Sequence, residues 1–242
     1  ILLYADYSQV EMMVMAALSA KFGDSSLKEA ILNGLDVHSY VAGKVFSVDY
    51  DEMFDKAKVK EIPEYVTLRS RAKTVGFAIL YGSTSWGMAK KQNITPQEAQ
   101  GLIDGFLGAF PGIKKFVEFT HREASQYGYV MSPFGRRRRF PISKVRSYID
   151  NSSKRKAQNF PIQSGASDSC LRSVIGLTEK IKDCGGKVVV TVHDSLICEV
   201  DDDAAIISKT ANLMKEIMVT KPNKAYGFLE GIPLKADIEV GY

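Results

Sequence analysis

Cysteine is scarce in this 242-residue chain: Cys170, Cys184 and Cys198 are the only three, and no two form a C-x-x-C pair. That spacing excludes a disulfide framework and a thiolate metal site, and it suits a reducing compartment in which the thiols are inert packing groups. Long apolar runs are missing as well. None approaches the roughly 18 residues of a membrane span, and the first residues are neither a basic-then-apolar signal peptide nor an amphipathic transit sequence. A cytoplasmic protein without a membrane partner is the expectation. No repeat, low-complexity tract or Gly/Ser linker divides the chain, so domain boundaries must be inferred from motif placement.

Hydrophobic residues make up 45% and charged residues 25%, enough for the core of one large domain or two small ones. The formal net charge is only +4, but the basic residues bunch in "LRSRAK" (68–73), "GRRRRF" (135–140) and "SKRKAQN" (153–159). For a single bunch a solvated face is the lesser alternative. Three together favour a phosphate-binding surface. The opening "ILLYAD" starts within strand-like residues, from which we expect a piece of a longer polypeptide.

The apolar pattern predicts a strand at "ILLYA", then a helix through "DYSQVEMMVMAALS" with Ser8 as a possible cap, and a short helix over 35–46. A helical stretch from Glu64 to about Lys91 is interrupted at "YGSTSWG". Thr95 and Glu98 have capping-box spacing, and another helix follows Pro111. Residues 128–140 read as a hairpin around Pro133–Gly135, and 150–183 as helix with a break at "NFPIQSG". An amphipathic helix, "DAAIISKTANLMKEIM", and a closing strand, "LKADIEV", end the chain. Strands at both ends around a long helical insertion predict an α+β fold with an interrupted antiparallel sheet.

In "KVVVTVHDSLICEV" (187–200) an otherwise buried-looking strand carries His193 and Asp194 in its middle. An unpaired carboxylate in an apolar core would cost several kcal/mol. Two strands of a hairpin with the acid at its tip resolve the conflict, and Asp194 is then equally well a turn residue or a cation ligand. Asp6 also stands at a strand end. Two such carboxylates side by side suit Mg²⁺, which one or two carboxylates hold together with substrate phosphates, and two ions would serve a phosphoryl displacement. Arg69, Lys73, Phe77 and Tyr81 recur every fourth residue and form a slowly spiralling stripe of two cations and two rings. An ordinary amphipathic helix can show the same stripe.

Together "DYSQVE" (6–11), the R-x-x-x-K-x-x-x-F-x-x-x-Y-G run (69–82) and "VHD" (192–194) resemble the family A DNA polymerases, the type of bacterial DNA polymerase I and many phage replicases. "DVH" (36–38), "YGYVMSPFGRRRRF" and "RKAQNFPIQSGASD" match too, so the resemblance runs almost end to end. It implies an antiparallel palm sheet with a helical fingers subdomain inserted, a right-hand architecture lacking its thumb: palm in 1–19 and 149–242, fingers in 20–148. It implies two Mg²⁺ ions, with Mn²⁺ able to substitute, held by Asp6, Asp194 and the Tyr7 carbonyl.

Arg69 and Lys73 would then contact the incoming triphosphate, with His38 and Gln9 also at the nucleotide. Phe77 would lie against sugar and base, Tyr81 would place the template base, and Glu11 would exclude a ribose 2′-hydroxyl and pair with Tyr81. Arg155, Asn159 and Gln163 would follow primer and template in the minor groove, with His193 near the primer end. The implied partners are primer-template DNA, dNTPs, and an upstream thumb and exonuclease region in cis or as a separate polypeptide, in the cytoplasm of a bacterial cell or a virus-infected host. Ser195 departs from the pattern, standing where an acid commonly follows the aspartate of "VHD". A two-metal nuclease and a non-enzymatic nucleic-acid binder are the competing classes; the first lacks a use for a triphosphate-holding helix. His121 reads as a surface or packing residue, and Trp86 as a packing residue rather than a base-stacking one.

Overall fold

The structure, a computed structural model, describes residues 1–141, 149–220, 227, 229 and 231–241. In chain order the elements are β1 (Leu2–Tyr7), α1 (Val10–Lys21), α2 (Ser26–Leu32), α3 (Val37–Phe46), α4 (Tyr50–Phe54), α5 (Pro63–Leu80), α6 (Ser85–Gln92), α7 (Pro96–Ala109) and α8 (Pro111–Tyr127). They continue with β2 (Tyr129–Met131), β3 (Arg137–Arg139), α9 (Asn151–Lys180), β4 (Lys187–Val192), β5 (Ser195–Glu199), α10 (Ala204–Lys215) and β6 (Ala236–Gly241). The fold is mixed helix and sheet with an antiparallel sheet. It divides into two compact units, residues 1–14 with 163–242, and residues 15–162.

The first unit is built on a four-stranded sheet in the order β4-β5-β1-β6. β1 alternates as a half-buried strand should: Leu3, Ala5 and Tyr7 are buried while Leu2 and Tyr4 are exposed. It lies inside the sheet, antiparallel to β5 and β6, with Asp6 opposite Ser195 on one side and Asp237 on the other. The Tyr7 hydroxyl is buried and satisfied, bonded to Ser173 Oγ at 2.8 Å and donating to the Met218 carbonyl at 2.9 Å. Two expectations fail here. The valine-rich β4 is not a buried strand but an edge, with Val189, Val190 and Val192 exposed. Ser8 is not at the capping position of α1, because the helix starts at Val10; its hydroxyl donates to Asp237 instead.

In the second unit the helix starts carry the local rules. Asp36 caps α3 by accepting from the Ser39 N–H, and Thr95 and Glu98 close the capping box of α7. Pro63, Pro96 and Pro111 open α5, α7 and α8 in the first turn, where a missing N–H costs nothing. The β2–β3 ribbon forms as expected. Its inner residues Val130 and Phe140 pack with Ala124, Ala157 and Phe160. The expected break at "NFPIQSG" is absent: α9 runs for 30 residues through Pro161. An interior proline removes one backbone bond and costs about 3 kcal/mol. Just before it, Gln158 donates to the Ile79 carbonyl and Asn159 to the Leu80 carbonyl at 3.1 Å, so this turn is tied to the end of α5. All three cysteines are free and buried, and burial raises the Cys170 and Cys198 thiols to about 11.

Candidate functional site

The β4–β5 hairpin closes in two residues, His193 and Asp194, with His193 at φ 57° in the left-handed region. The Ser195 hydroxyl donates back to the Val192 carbonyl at 2.7 Å and so locks the tip. Because β5 is the neighbour of β1, the tip comes beside the end of β1: the Tyr7 N–H donates to the Asp194 carbonyl at 3.3 Å. Asp6 and Asp194 thus stand on adjacent strand ends. Glu11, Gln163, Ala166, Ser167, His193 and Asp194 line a cleft of about 290 Å³.

The carboxylates in and beside this cleft are electrostatically perturbed. Burial first, then the charges of Asp194, Asp237 and Glu239, push the Asp6 carboxyl above its usual range. Burial also raises Glu11; its backbone hydrogen bond opposes this, and Asp194 and Asp6 add to it. Carboxylates raised by burial and by one another are short of counter-charge, which His193 supplies only in small part at Glu11. Among the described residues no group of three or more His, Cys, Asp or Glu side chains is arranged to hold a metal by itself. The two adjacent aspartates nevertheless fit Mg²⁺ of the kind that completes its shell with water and phosphate oxygens. Tyr7 directs its side chain into the core, leaving only its backbone at the site. Gln9 is exposed at φ 55°, and its carbonyl accepts the Met12 and Met13 N–H groups at the start of α1. Ser195 is 1% exposed and committed to the hairpin.

The second unit carries the cationic face. Arg69 sits in a bidentate pair with Asp36, Nε and Nη2 both at 3.0 Å from its carboxylate oxygens, and Nε also reaches Ser39 Oγ at 3.2 Å. Burial alone would raise the Asp36 carboxyl, but the Ser39 hydrogen bonds and then Arg69 outweigh it and hold it low. Lys73, one turn on, is exposed and pairs with no described carboxylate. His38 is only 4% exposed. Burial, then the charges of Arg69 and Lys73, lower its imidazole to about 4, so it is neutral at physiological pH. The Phe77 ring lies 6.3 Å from His38 and 6.5 Å from Tyr81, the latter pair stacked. Tyr81 is exposed just beyond the end of α5.

On α9, Arg155 backs onto the turn after α5 so closely that a Cβ at Gly82, which has φ +64°, would meet the Arg155 Cα at 2.8 Å. The Asn159 amide is committed to Leu80, while Gln163 is exposed. Sequence reasoning missed Asp36, whose place just before a helix was a readable capping signal, and Gln158, buried between Ile79 and His121. It also missed Asp237, whose place opposite Asp6 depends on a pairing of distant strands that no local signal reveals. Trp86 is 74% exposed, so its expected packing role is wrong.

A match to DNA polymerase family A spans residues 1–242. The chain belongs to that family. It is 34% identical over 243 residues to the thermostable DNA polymerase I of Thermus filiformis, covering 100% of this chain and 26% of that protein. It is also 34% identical to DNA polymerase I of Bacillus subtilis, covering 98% of this chain and 25% of the relative. A solved structure, the POL domain of Pol1 from M. smegmatis in complex with DNA primer-template and dNTP, is similar with a TM-score of 0.80 and 32% identity, over 99% of this chain and 39% of that one. This family A chain therefore spans about a quarter of the length of the curated relatives it matches. Among its described residues no helix is long and apolar enough to cross a membrane.

Proposed function

We propose that the chain is the catalytic portion of a DNA-directed DNA polymerase, adding deoxynucleotides from dNTPs to a primer 3′-hydroxyl under the direction of a template. The primer oxygen forms its new bond to the α-phosphorus, the bond from that phosphorus to the bridging oxygen breaks, and pyrophosphate leaves. The observation that carries this reading is the pair Asp6 and Asp194 on adjacent strand ends beside Glu11, with no ion pair to any of the three among the described residues, in a family member. Two Mg²⁺ ions, or Mn²⁺, held by Asp6, Asp194 and the Tyr7 carbonyl would neutralise charge on the attacking and leaving oxygens.

The remaining roles belong to side chains. Lys73 and Arg69 hold phosphate charge, and Asp36 fixes the Arg69 guanidinium in one orientation. His38, buried and neutral, supports the Phe77 ring. Phe77 and Tyr81 offer stacked faces to a sugar and bases, while Gln9 and Glu11 flank the nucleotide and Glu11 excludes a 2′-hydroxyl. Arg155, Asn159, Gln163 and His193 follow the duplex, with phosphate contacts supplying sequence-independent affinity. In this reading residues 1–19 and 149–242 are palm and 20–148 fingers, acting with an upstream thumb region. Incorporation of one labelled dNTP into a primer-template, with and without Mg²⁺, is the test. Extension that needs both template and metal is expected; strand shortening, or template-independent addition, would overturn the reading.

A further inference from the structure

Three helices of the second unit meet at a polar relay whose two members, His121 and Gln158, hold none of these roles. The end of α5 closes on its own backbone: the Tyr81 N–H donates to the Phe77 carbonyl at 2.9 Å, Gly82 to Ile79 at 3.1 Å and Ser83 to Ala78 at 2.7 Å. This is the left-handed glycine stop common at helix ends, with Gly82 at φ 64°. It leaves the Leu80 carbonyl and one lone pair of the Ile79 carbonyl for other donors, and α9 supplies both, Asn159 for Leu80 and Gln158 for Ile79. Gln158 is only 7% exposed. Its amide nitrogen faces the Ile79 carbonyl, so its oxygen is the atom that faces His121 Nε2 on α8, at 3.1 Å. An amide oxygen only accepts, and the imidazole therefore carries a proton on Nε2. Burial lowers the His121 imidazole, with the Gln158 bond opposing it.

The relay is directional. Turning the Gln158 amide over would set its oxygen against the Ile79 carbonyl oxygen, and the His121 N–H prevents this by holding that oxygen. Around it the contact of α8 with α9 is apolar, with Ala124 and Ala157 both buried, so an apolar side chain would fill the space as well and avoid the cost of burying an amide. What only a hydrogen-bonded amide does is fix the height of one carbonyl against α9. Tyr81 stands two residues beyond that carbonyl, its exposed ring stacked on Phe77. Next to it, Gly82 lies so close to the Arg155 backbone that no Cβ fits. We infer that His121 and Gln158 are positioning residues, holding the last turn of α5 so that the Tyr81 ring keeps one setting, and that this setting sharpens the choice between matched and mismatched nucleotides. That Tyr81 meets a template base rests on the polymerase reading; the relay itself does not.

The test pairs native-state hydrogen exchange at the Tyr81, Gly82 and Ser83 amides with single-nucleotide insertion of matched and mismatched dNTPs. His121→Phe keeps a ring but removes the donor, Gln158→Met keeps the length but removes the amide, and His121→Gln puts an N–H back near the place of Nε2. The first two variants should exchange about two- to tenfold faster at 81–83, the worth of one net hydrogen bond, and lose a similar factor of selectivity while matched insertion stays nearly level. The Phe110 amide, which closes the end of α7 onto Phe106 at 3.0 Å, should keep its rate, and His121→Gln should restore both readouts. Adding His121→Phe to Gln158→Met should change nothing more, since both cut one relay. Unchanged exchange at 81–83, faster exchange shared equally by Phe110, or faster exchange with selectivity intact would each overturn the inference. Should the wild-type protein extend no primer while exchange behaves as stated, the polymerase reading fails and the relay stands. Normal extension by the wild type, with variants of unaltered exchange, leaves the polymerase reading standing and removes the relay.

Discussion

The two units handle concentrated charge in opposite ways. In the sheet unit Asp6, Asp194 and Glu11 form no ion pair among the described residues, and burial with mutual repulsion raises Asp6 and Glu11. In the helical unit Arg69 carries its own counter-ion: Asp36 grips the guanidinium and is in turn held by Ser39, which leaves Lys73 as the open charge. A charge pre-paired by the protein is oriented before any ligand arrives. One left unpaired is a standing demand for a ligand of opposite sign. On the proposed function the carboxylates take a cation as that ligand, whereas the arginine is a fixed wall beside a lysine with no carboxylate partner among the described residues.

The sharpest break of this contrast comes from the unpaired side. Asp6→Asn and Asp194→Asn should each lower incorporation by on the order of 10²–10³-fold or more, while primer-template affinity changes little and the melting temperature without metal stays level or rises. A variant of near wild-type turnover would remove the aspartates from the chemistry. Next in size, Lys73→Ala should raise the KM for dNTP about 10- to 100-fold, the worth of a hydrogen bond to a charged group, without loss of duplex affinity. Equal effects on DNA and nucleotide would place this face on the duplex instead.

Smaller effects probe the pre-paired side. Asp36→Ala removes an N-cap and leaves Arg69 without its counter-ion; the cap alone is worth about 1 kcal/mol, seen as a lower melting temperature that Asp6→Asn does not produce. His38 gives a pH signature. Its folded value near 4 lies below the ordinary 6.5, so the unfolded chain binds a proton that the folded one refuses. Stability should be full above pH 6.5 and fall as pH drops toward about 4, by at most about 3 kcal/mol. His38→Asn should flatten that window. Equal slopes for both proteins would mean that this imidazole titrates normally.

Much of the architecture was legible because its signals are local. The capping box at Thr95 and Glu98, the prolines opening α5, α7 and α8, and the glycine-marked turn of the β2–β3 ribbon each follow from a few neighbouring residues. The candidate carboxylates were legible because an acid amid "VVVTV" and "LICEV" conflicts with a buried strand unless the chain turns there. What escaped depends on distant partners. The continuity of α9 through Pro161 goes with the link from Gln158 and Asn159 to a helix end some 79 residues away in sequence. Exposure of β4 follows from its place at the sheet edge, and Trp86 shows that one large ring beside a glycine does not reveal which way it faces.

Under the proposed function Asp6 and Asp194 form a site that requires a divalent cation from outside the protein. Titration with Mn²⁺, counting free ion by its electron paramagnetic resonance signal in the presence of dNTP, tests this without relying on turnover. The wild-type chain should take up Mn²⁺, release it to competing Mg²⁺, and lose that uptake in both Asp6→Asn and Asp194→Asn while Lys73→Ala, at saturating dNTP, retains it. Equal Mn²⁺ uptake by the wild type and both aspartate variants would contradict the account.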